Sequence, residues 1–298
     1  MNTDSKQAMP TQQPRGLDLT DLDHITPEEV AAFHDSYMRV QGRHHVGFEY
    51  LLNNNPSALK RWRLFAKYAA IPLDQQLILT ATNFALVAWY ALLGFEEGVR
   101  YQVYLQQVSG RSTREQVNDG LGLSFFYCGP RGAEIVANTL GKYDWLEPEE
   151  PADFSEWNTS AHLLSAGLDF STEEMLPGEL QLIEDWYLRA VGSVPDFVRF
   201  LAEYRPGALK AYRNRYENQT KTLPAQLVPL VAAKIAMYRG DPELLREHMA
   251  IARYLGVSKA DAVMNAISGA LYGGMESLNM LKRVAGDILD NWEQPAES

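Results

Sequence analysis

His248 is the residue of this 298-residue chain whose type and setting most directly suggest chemistry. Leu244 and Leu245 precede it by one helical turn, and Ile251, Ala252 and Leu255 follow, so a helix through this segment puts the imidazole on its apolar face. A partly desolvated imidazole that titrates near neutrality delivers a proton to a carbanion or takes one from water. Periodicity alone also allows a hydrogen-bonded core histidine. Lys234 stands among Leu227, Leu230, Val231, Met237 and Tyr238 on one helical face. Either it reaches out to the helix edge, or it is a buried ammonium of depressed pKa that needs a carboxylate. In the second case it suits a substrate carboxylate, an enolate oxygen or a Schiff base.

Around these two lie further candidates. Glu243 and Glu247 are spaced i, i+4 and share a face, which is either solvated or turned to a substrate. Glu97 repeats the place of Glu243 in the other half of the chain, which favours Glu243 as the group that orients His248. Tyr238 and Tyr272 either line a pocket with donors for an oxyanion or pack as core. Glu276 begins the last helix, where an acid meets the positive end of the dipole or a substrate. His44 and His45 are adjacent in a loop with no carboxylate cluster, so no metal site is expected. Cys128 is the single cysteine, which rules out a disulfide within the chain.

The elements that position these residues come in two copies. Asp35, Tyr37, Arg39 and Gly42 recur as Asp185, Tyr187, Arg189 and Gly192, and Pro56-Ser57-Ala58-Leu59-Lys60 recurs as Pro206-Gly207-Ala208-Leu209-Lys210, all at an offset of 150. Gly94, Glu97 and Arg100 then meet Gly240, Glu243 and Arg246 at 146, as Gly110 and Ser112 meet Gly256 and Ser258. Each copy predicts the same helices. One starts at Pro27-Glu28-Glu29 or Pro177-Gly178-Glu179 and stops at Gly42 or Gly192. A short helix precedes the Pro-x-Ala-Leu-Lys turn; a long apolar helix covers about 73–93 or 224–239, and another ends at Gly110 or Gly256. Ser112 and Ser258 are the expected N-caps of the next, with Glu115 and Asp261 three residues on. A glycine turn at Cys128-Gly129-Pro130 or Gly273-Gly274 leads into the last. Sustained period-two alternation is missing throughout, so no sheet is expected.

The expected organisation is a disordered tail over 1–24, polar and rich in Gln, Ser and Pro through Arg15. An all-α domain over 25–142, a connection over 143–175 rich in Glu, Pro, Ser and Asp, and a second domain over 176–292 follow. Hydrophobic residues at 46% and charged residues at 22% place the chain in the globular class. A formal net charge of -11 offers no basic stripe for phosphates and disfavours nucleic acid and anionic membranes. Leu77–Phe95 is uncharged and about as long as a bilayer span. Its Thr80, Thr82 and Asn83, and the lysine in the matching stretch, favour a central core helix instead.

Glu243-Leu244-Leu245-Arg246-Glu247-His248, the helix ending at Gly256, Ser258-Lys259-Ala260-Asp261 and the later Tyr272-Gly273-Gly274 resemble the signature of the carboxymuconolactone decarboxylase / AhpD-like family. With the first copy included, the resemblance runs from about Ile25 to Leu289. It implies two AhpD-like helical bundles forming a pseudo-dimer, and a homo-dimer or homo-trimer of such chains in the cytoplasm. The Cys-x-x-Cys pair of AhpD-like members would fall at Asp241 and Leu244, or at Phe95 and Gly98, so dithiol peroxide chemistry is disfavoured. Two departures from the decarboxylase pattern stand out: Glu276 where a proline is common, and Gln102 where the first copy would carry its histidine. The resemblance implies a cofactor-free lyase, most simply a decarboxylase of a small keto acid or lactone, with a small carboxylate as substrate. His248 would deliver the proton, Glu243 orient it, and Lys234 with a tyrosine stabilise the enolate. The alternative is a catalytically silent ligand-binding or scaffold protein.

Overall fold

The computed structural model describes residues 16–41, 46–69, 75–141 and 143–293; Met1–Arg15, Gly42 and the His44-His45 pair lie outside them. Among the described residues the chain is all-helical, with thirteen α-helices, one 3₁₀ helix and no strand. The helices are α1 (Pro27–Gln41), α2 (Val46–Asn54), α3 (Pro56–Ala69), α4 (Gln76–Leu92), α5 (Glu96–Val108), α6 (Arg114–Leu140), α7 (Glu179–Val191), α8 (Asp196–Tyr204), α9 (Pro206–Glu217), α10 (Leu227–Arg239), α11 (Pro242–Tyr254), α12 (Lys259–Gly273) and α13 (Met275–Asp290). The 3₁₀ helix spans Ser155–Leu164, between α6 and α7. The chain divides into two compact units, Met1–Gln75 and Gln76–Ser298.

In the first unit α1 opens with a capping box. The Glu29 N–H donates to the Thr26 hydroxyl, and the Thr26 N–H donates back to the Glu29 carboxylate. Leu17, Phe33, Tyr37, Leu52 and Leu59 form its core, with Phe48 packed against them. Lys60, on α3, is fully buried and reaches Glu29 at 2.7 Å and the Asp21 carbonyl at 2.8 Å.

The second unit is built on α4 and α10. Every residue from Leu77 to Ala88 is buried, as is every residue from Leu227 to Tyr238, because each helix is covered on all sides. α4 packs against α5, α6, α10 and α12; α10 packs against α11, α12 and α13 as well. No helix among the described residues is long and apolar enough to cross a membrane. Asp119 of α6 fastens the loop before α10: its carboxylate accepts the backbone N–H groups of Lys221, Thr222 and Leu223 at 2.8–3.0 Å.

The two copies differ by one residue where α6 begins. Thr113, not Ser112, caps α6 in a capping box with Gln116, whereas Ser258 caps α12 as expected. Arg111 (φ +48°) holds the left-handed position that Gly256 (φ +77°) holds in the second copy, so the loop carries one extra residue and the offset falls from 146 to 145. Gly110 is needed for another reason: a Cβ there would meet the Gln106 carbonyl at 2.5 Å. Ser112 is turned inward instead and accepts a hydrogen bond from Gln106 Nε2 at 2.7 Å. The offset of 145 also joins Gly129 (φ +66°), which kinks α6, to Gly274 (φ +75°), which separates α12 from α13. Both adopt an extended left-handed conformation that only glycine tolerates cheaply.

Candidate functional site

α11 starts at Pro242, and the Asp241 side chain caps it by accepting the Leu244 N–H at 3.0 Å. Its apolar stripe buries Leu245, His248, Met249, Ile251 and Ala252. His248 Nδ1 lies 3.1 Å from the Leu244 carbonyl, which only accepts, so the ring proton sits on Nδ1 and Nε2 presents a lone pair. That Nε2 is buried and has no hydrogen-bond partner among the described residues. Burial pushes the His248 pKa down to about 4, so the ring is neutral at neutral pH.

Glu247, beside it on α11, behaves in the opposite sense. Burial pushes its carboxyl up to about 7, against the pull of the Arg213 guanidinium. Four tyrosine hydroxyls lie within electrostatic reach of this carboxylate: Tyr127 of α6, Tyr187 of α7, and Tyr212 and Tyr216 of α9. All four are held above the usual tyrosine range, first by burial.

The α9 register explains the convergence. Tyr212 and Tyr216, like Arg213 and Glu217, are spaced i, i+4, and Arg213 and Tyr216 i, i+3, so the four share one side of the helix. The rings of Tyr212 and Tyr216 stack at 5.9 Å, and Tyr216 meets the His248 ring edge-on at 6.2 Å. Arg213 lies over the Trp186 ring at 4.1 Å and pairs with Glu217 through Nε at 2.9 Å and Nη2 at 2.8 Å. Its Nη2 also donates to the Leu164 carbonyl, at the end of the 3₁₀ helix. Arg213 Nη1, Glu217 Oε2 and the hydroxyls of Tyr127 and Tyr216 are buried with no hydrogen-bond partner among the described residues. Phe126 packs on Tyr212 at 5.5 Å, which sets Tyr127 against α9.

The other candidates stand elsewhere. Lys234 is fully buried, but no carboxylate among the described residues meets it: Nζ lies 2.5 Å from the hydroxyls of Thr82 (α4) and Ser268 (α12). Those hydroxyls donate their own protons to the carbonyls of Ile78 and Asn265, so both accept from the lysine. Burial holds the amine well below the usual lysine range. Glu243 is exposed in the first turn of α11, and Glu276 is exposed at the start of α13, where Asn279 donates to it at 3.3 Å. Tyr238 and Tyr272 pack edge-on at 6.2 Å, with Trp89 5.8 Å from Tyr238. Of the candidates named from the sequence, then, Glu247 and His248, consecutive on α11, both border Tyr216 of α9, Glu247 electrostatically and His248 through ring contact. Lys234 belongs to the α4–α12 seam and Tyr238 with Tyr272 to a separate aromatic group.

Tyr127, Tyr187, Tyr212, Arg213 and Tyr216 were not among the candidates expected from the sequence, where Tyr187 stood only as a repeated residue. A signal was present: at the offset of 150, Tyr216-Glu217 replaces Ala66-Lys67, an asymmetry of the kind that drew attention to Lys234. No protein-family model, curated protein or solved structure matches this chain.

Proposed function

We propose that this chain is a cofactor-independent lyase that works by proton transfer at Glu247 and His248, in the manner of the carboxymuconolactone decarboxylase / AhpD-like family, with its two copies arranged as a pseudo-dimer. The observation that carries this is the juxtaposition of a carboxyl group titrating at about 7, an imidazole with a free Nε2 and buried tyrosine hydroxyls. A carboxylic acid that still holds its proton near neutral pH is equipped to give it to carbon.

For a small β-keto acid or vinylogous acid the step balances as follows. The bond to the carboxylate breaks, carbon dioxide leaves, and the electron pair moves onto the carbonyl oxygen as an enolate. The hydroxyls of Tyr127 and Tyr216 donate to that oxygen, in a dry setting where such donors count most. The enolate collapses as Glu247 transfers its proton to carbon, and water returns a proton to the carboxylate. His248 Nε2 accepts a hydrogen bond from the substrate and holds its orientation. Lys234 and Glu243 have no part in these steps.

Carbon dioxide release and product mass from a panel of small keto acids and carboxylated lactones test this, with wild type, Glu247→Gln and His248→Ala side by side. Release by wild type that falls at least about a hundredfold in Glu247→Gln is expected. Equal release by wild type and both variants would exclude this site. A silent ligand-binding protein would release nothing from any substrate.

A further inference from the structure

We infer that one end of the helical bundle in the second unit is a docking surface for another protein, which it takes through a cationic segment carrying bulky apolar side chains. The surface is the Leu92–Phe95 turn together with the Tyr272–Met275 turn. It uses neither Glu247 nor His248, so it does not depend on the lyase reading.

The internal duplication supplies the first observation. α4 passes into α5, and α10 into α11, through the same turn. Gly94 and Gly240 both sit at φ +68°. The Phe95 N–H donates to the Tyr90 carbonyl at 2.8 Å, as the Asp241 N–H donates to the Ala236 carbonyl at 2.9 Å. The second copy builds this turn with Arg239 and Asp241, and the Asp241 side chain caps α11. The first copy has Leu93 and Phe95 at those places, both exposed, Leu93 by 60%. Phe95 brings no side-chain cap to α5. The turn itself therefore does not call for apolar residues, and the first copy forgoes a capping acceptor to show them to solvent. Phe95 is also held in place: it meets Tyr90 edge-on at 5.2 Å, and a Cβ on Gly98 would strike both rings.

The second observation is continuity. Trp89, one turn before Leu92 and Leu93, lies 5.8 Å from Tyr238, and Tyr238 lies 6.2 Å from Tyr272. Tyr272 and Met275 are themselves exposed. The C-terminal ends of α4, α10 and α12 thus come together, and Leu92, Leu93, Phe95, Tyr272 and Met275 stand exposed at that end. Exposed apolar side chains gathered in one place mark interaction surfaces, whereas single ones are ordinary.

The third is charge. Glu96, Glu97, Glu243 and Glu276 are exposed in the first turns of α5, α11 and α13, beside these apolar residues. With Asp241 they outnumber the exposed Arg239 and Arg100. Three helices end here and three begin, so their dipoles oppose one another and the acids leave the rim negative. Such a rim repels a second copy, which would bring the same acids, and it repels anionic lipid as well. Lys or Arg side chains flanking bulky apolar ones complement it.

Fluorescence anisotropy with the full chain tests this. The probes are labelled synthetic peptides: one of Leu and Lys in amphipathic helical order, one with Glu for every Lys, and one with Ser for every Leu. We expect the Leu–Lys peptide to bind at least about tenfold more tightly than either of the others, and to weaken as salt is added. The deciding variant is Leu93→Arg with Phe95→Asp, which gives the first turn the residues of the second and leaves the net charge unchanged. It should lose at least about tenfold in affinity for the Leu–Lys peptide, with helical content by circular dichroism unchanged. Leu93→Ser alone, at an exposed position, carries the same test if the double variant fails to fold. Unchanged affinity in the folded variants overturns the inference. So does equal binding of the Leu–Lys and Leu–Glu peptides, or no binding of the Leu–Lys peptide by wild type. Self-association in sedimentation velocity that the double variant abolishes would assign this face to a second copy and overturn it too.

Discussion

Lys210 Nζ and Glu179 Oε2 meet at 2.9 Å with both side chains buried, and 150 residues earlier Lys60 and Glu29 meet at 2.7 Å in the same way. In each copy the glutamate also accepts two backbone N–H groups, from Leu176 and Asp169 or from Thr26 and Asp18. Each lysine donates in addition to a carbonyl, of Glu174 or of Asp21. The pair thus ties the segment before the first helix of a copy to its third helix. Lys210→Met should destabilise the protein by about 3–5 kcal/mol, because it leaves the Glu179 carboxylate buried and unpaired. Lys60→Met should cost less, since the Glu29 side chain keeps 12% of its exposure against 6% for Glu179. Urea unfolding of the two variants gives the order; a larger loss from Lys60→Met would contradict it.

Lys234 is the counter-case, a buried lysine whose polar partners are two hydroxyls. Its folded pKa lies below its unfolded one, so the unfolded chain binds the extra proton across the interval between them. The stability it withholds is therefore recovered as pH rises toward the unfolded lysine value. At pH 7, Lys234→Met should stabilise the protein by about 1–3 kcal/mol, and its stability should respond less to pH between 7 and 10. Destabilisation at pH 7 would mean that the amine contributes more than it costs.

The contrast among these lysines shows what the sequence could and could not convey. Helix identity was legible where proline, glycine and the apolar stripes mark it locally, but the repeated Pro-x-Ala-Leu-Lys, expected as a turn, instead opens α3 and α9, with its proline in the first helical position where no N–H is needed. Lys234 was legible only as a lysine on an apolar face, either buried or reaching the helix edge. Its partners were not, since Thr82 and Ser268 lie 152 and 34 residues away and reach it only once α4, α10 and α12 pack. The Glu247 site is hidden for the same reason: its tyrosines come from α6, α7 and α9, and no local spacing links them. Glu247 read from the sequence as one of an i, i+4 acidic pair with Glu243, on a face either solvated or turned to a substrate, whereas the structure exposes Glu243 and draws Glu247 toward the α9 tyrosines.

The start of α6 offers a test on a finer scale. Thr113 bonds the Gln116 N–H at 3.2 Å, and Gln116 returns a bond to the Thr113 N–H at 3.0 Å. Thr113→Ala should cost about 1 kcal/mol. Ser112→Ala acts differently, by removing an acceptor from Gln106, whose amide also donates to Thr80 and accepts from Asn83. Its cost should be about 1–3 kcal/mol, the price of leaving a buried polar group without its partner. Thermal unfolding that shows Thr113→Ala as the more damaging of the two would reverse this assignment.

Glu247 and His248 should leave opposite marks on pH dependence. Activity that needs the Glu247 proton should hold steady from about pH 5 to 6 and fall as pH rises through about 7, approaching tenfold per unit. His248 stays neutral over that range, since its pKa is held near 4. Stability depends on the same two groups. Glu247 has its folded pKa above its unfolded value of about 4.3, so its contribution is present below that value and is lost as pH rises from there through 7. His248 has its folded pKa below its unfolded value of about 6.5, so its contribution is lost as pH falls from there toward 4. Between about pH 4.5 and 6.5 the two slopes oppose each other, and wild-type stability should be nearly flat as far as this pair governs it. Glu247→Gln should then lose stability on acidification from pH 6.5 to 4.5, and His248→Gln should gain it, each by up to about 1.4 kcal/mol per pH unit. Urea unfolding at pH 4.5, 5.5 and 6.5 measures both. Parallel curves for the two variants would show that these neighbours on α11 do not titrate as a buried acid and a buried base.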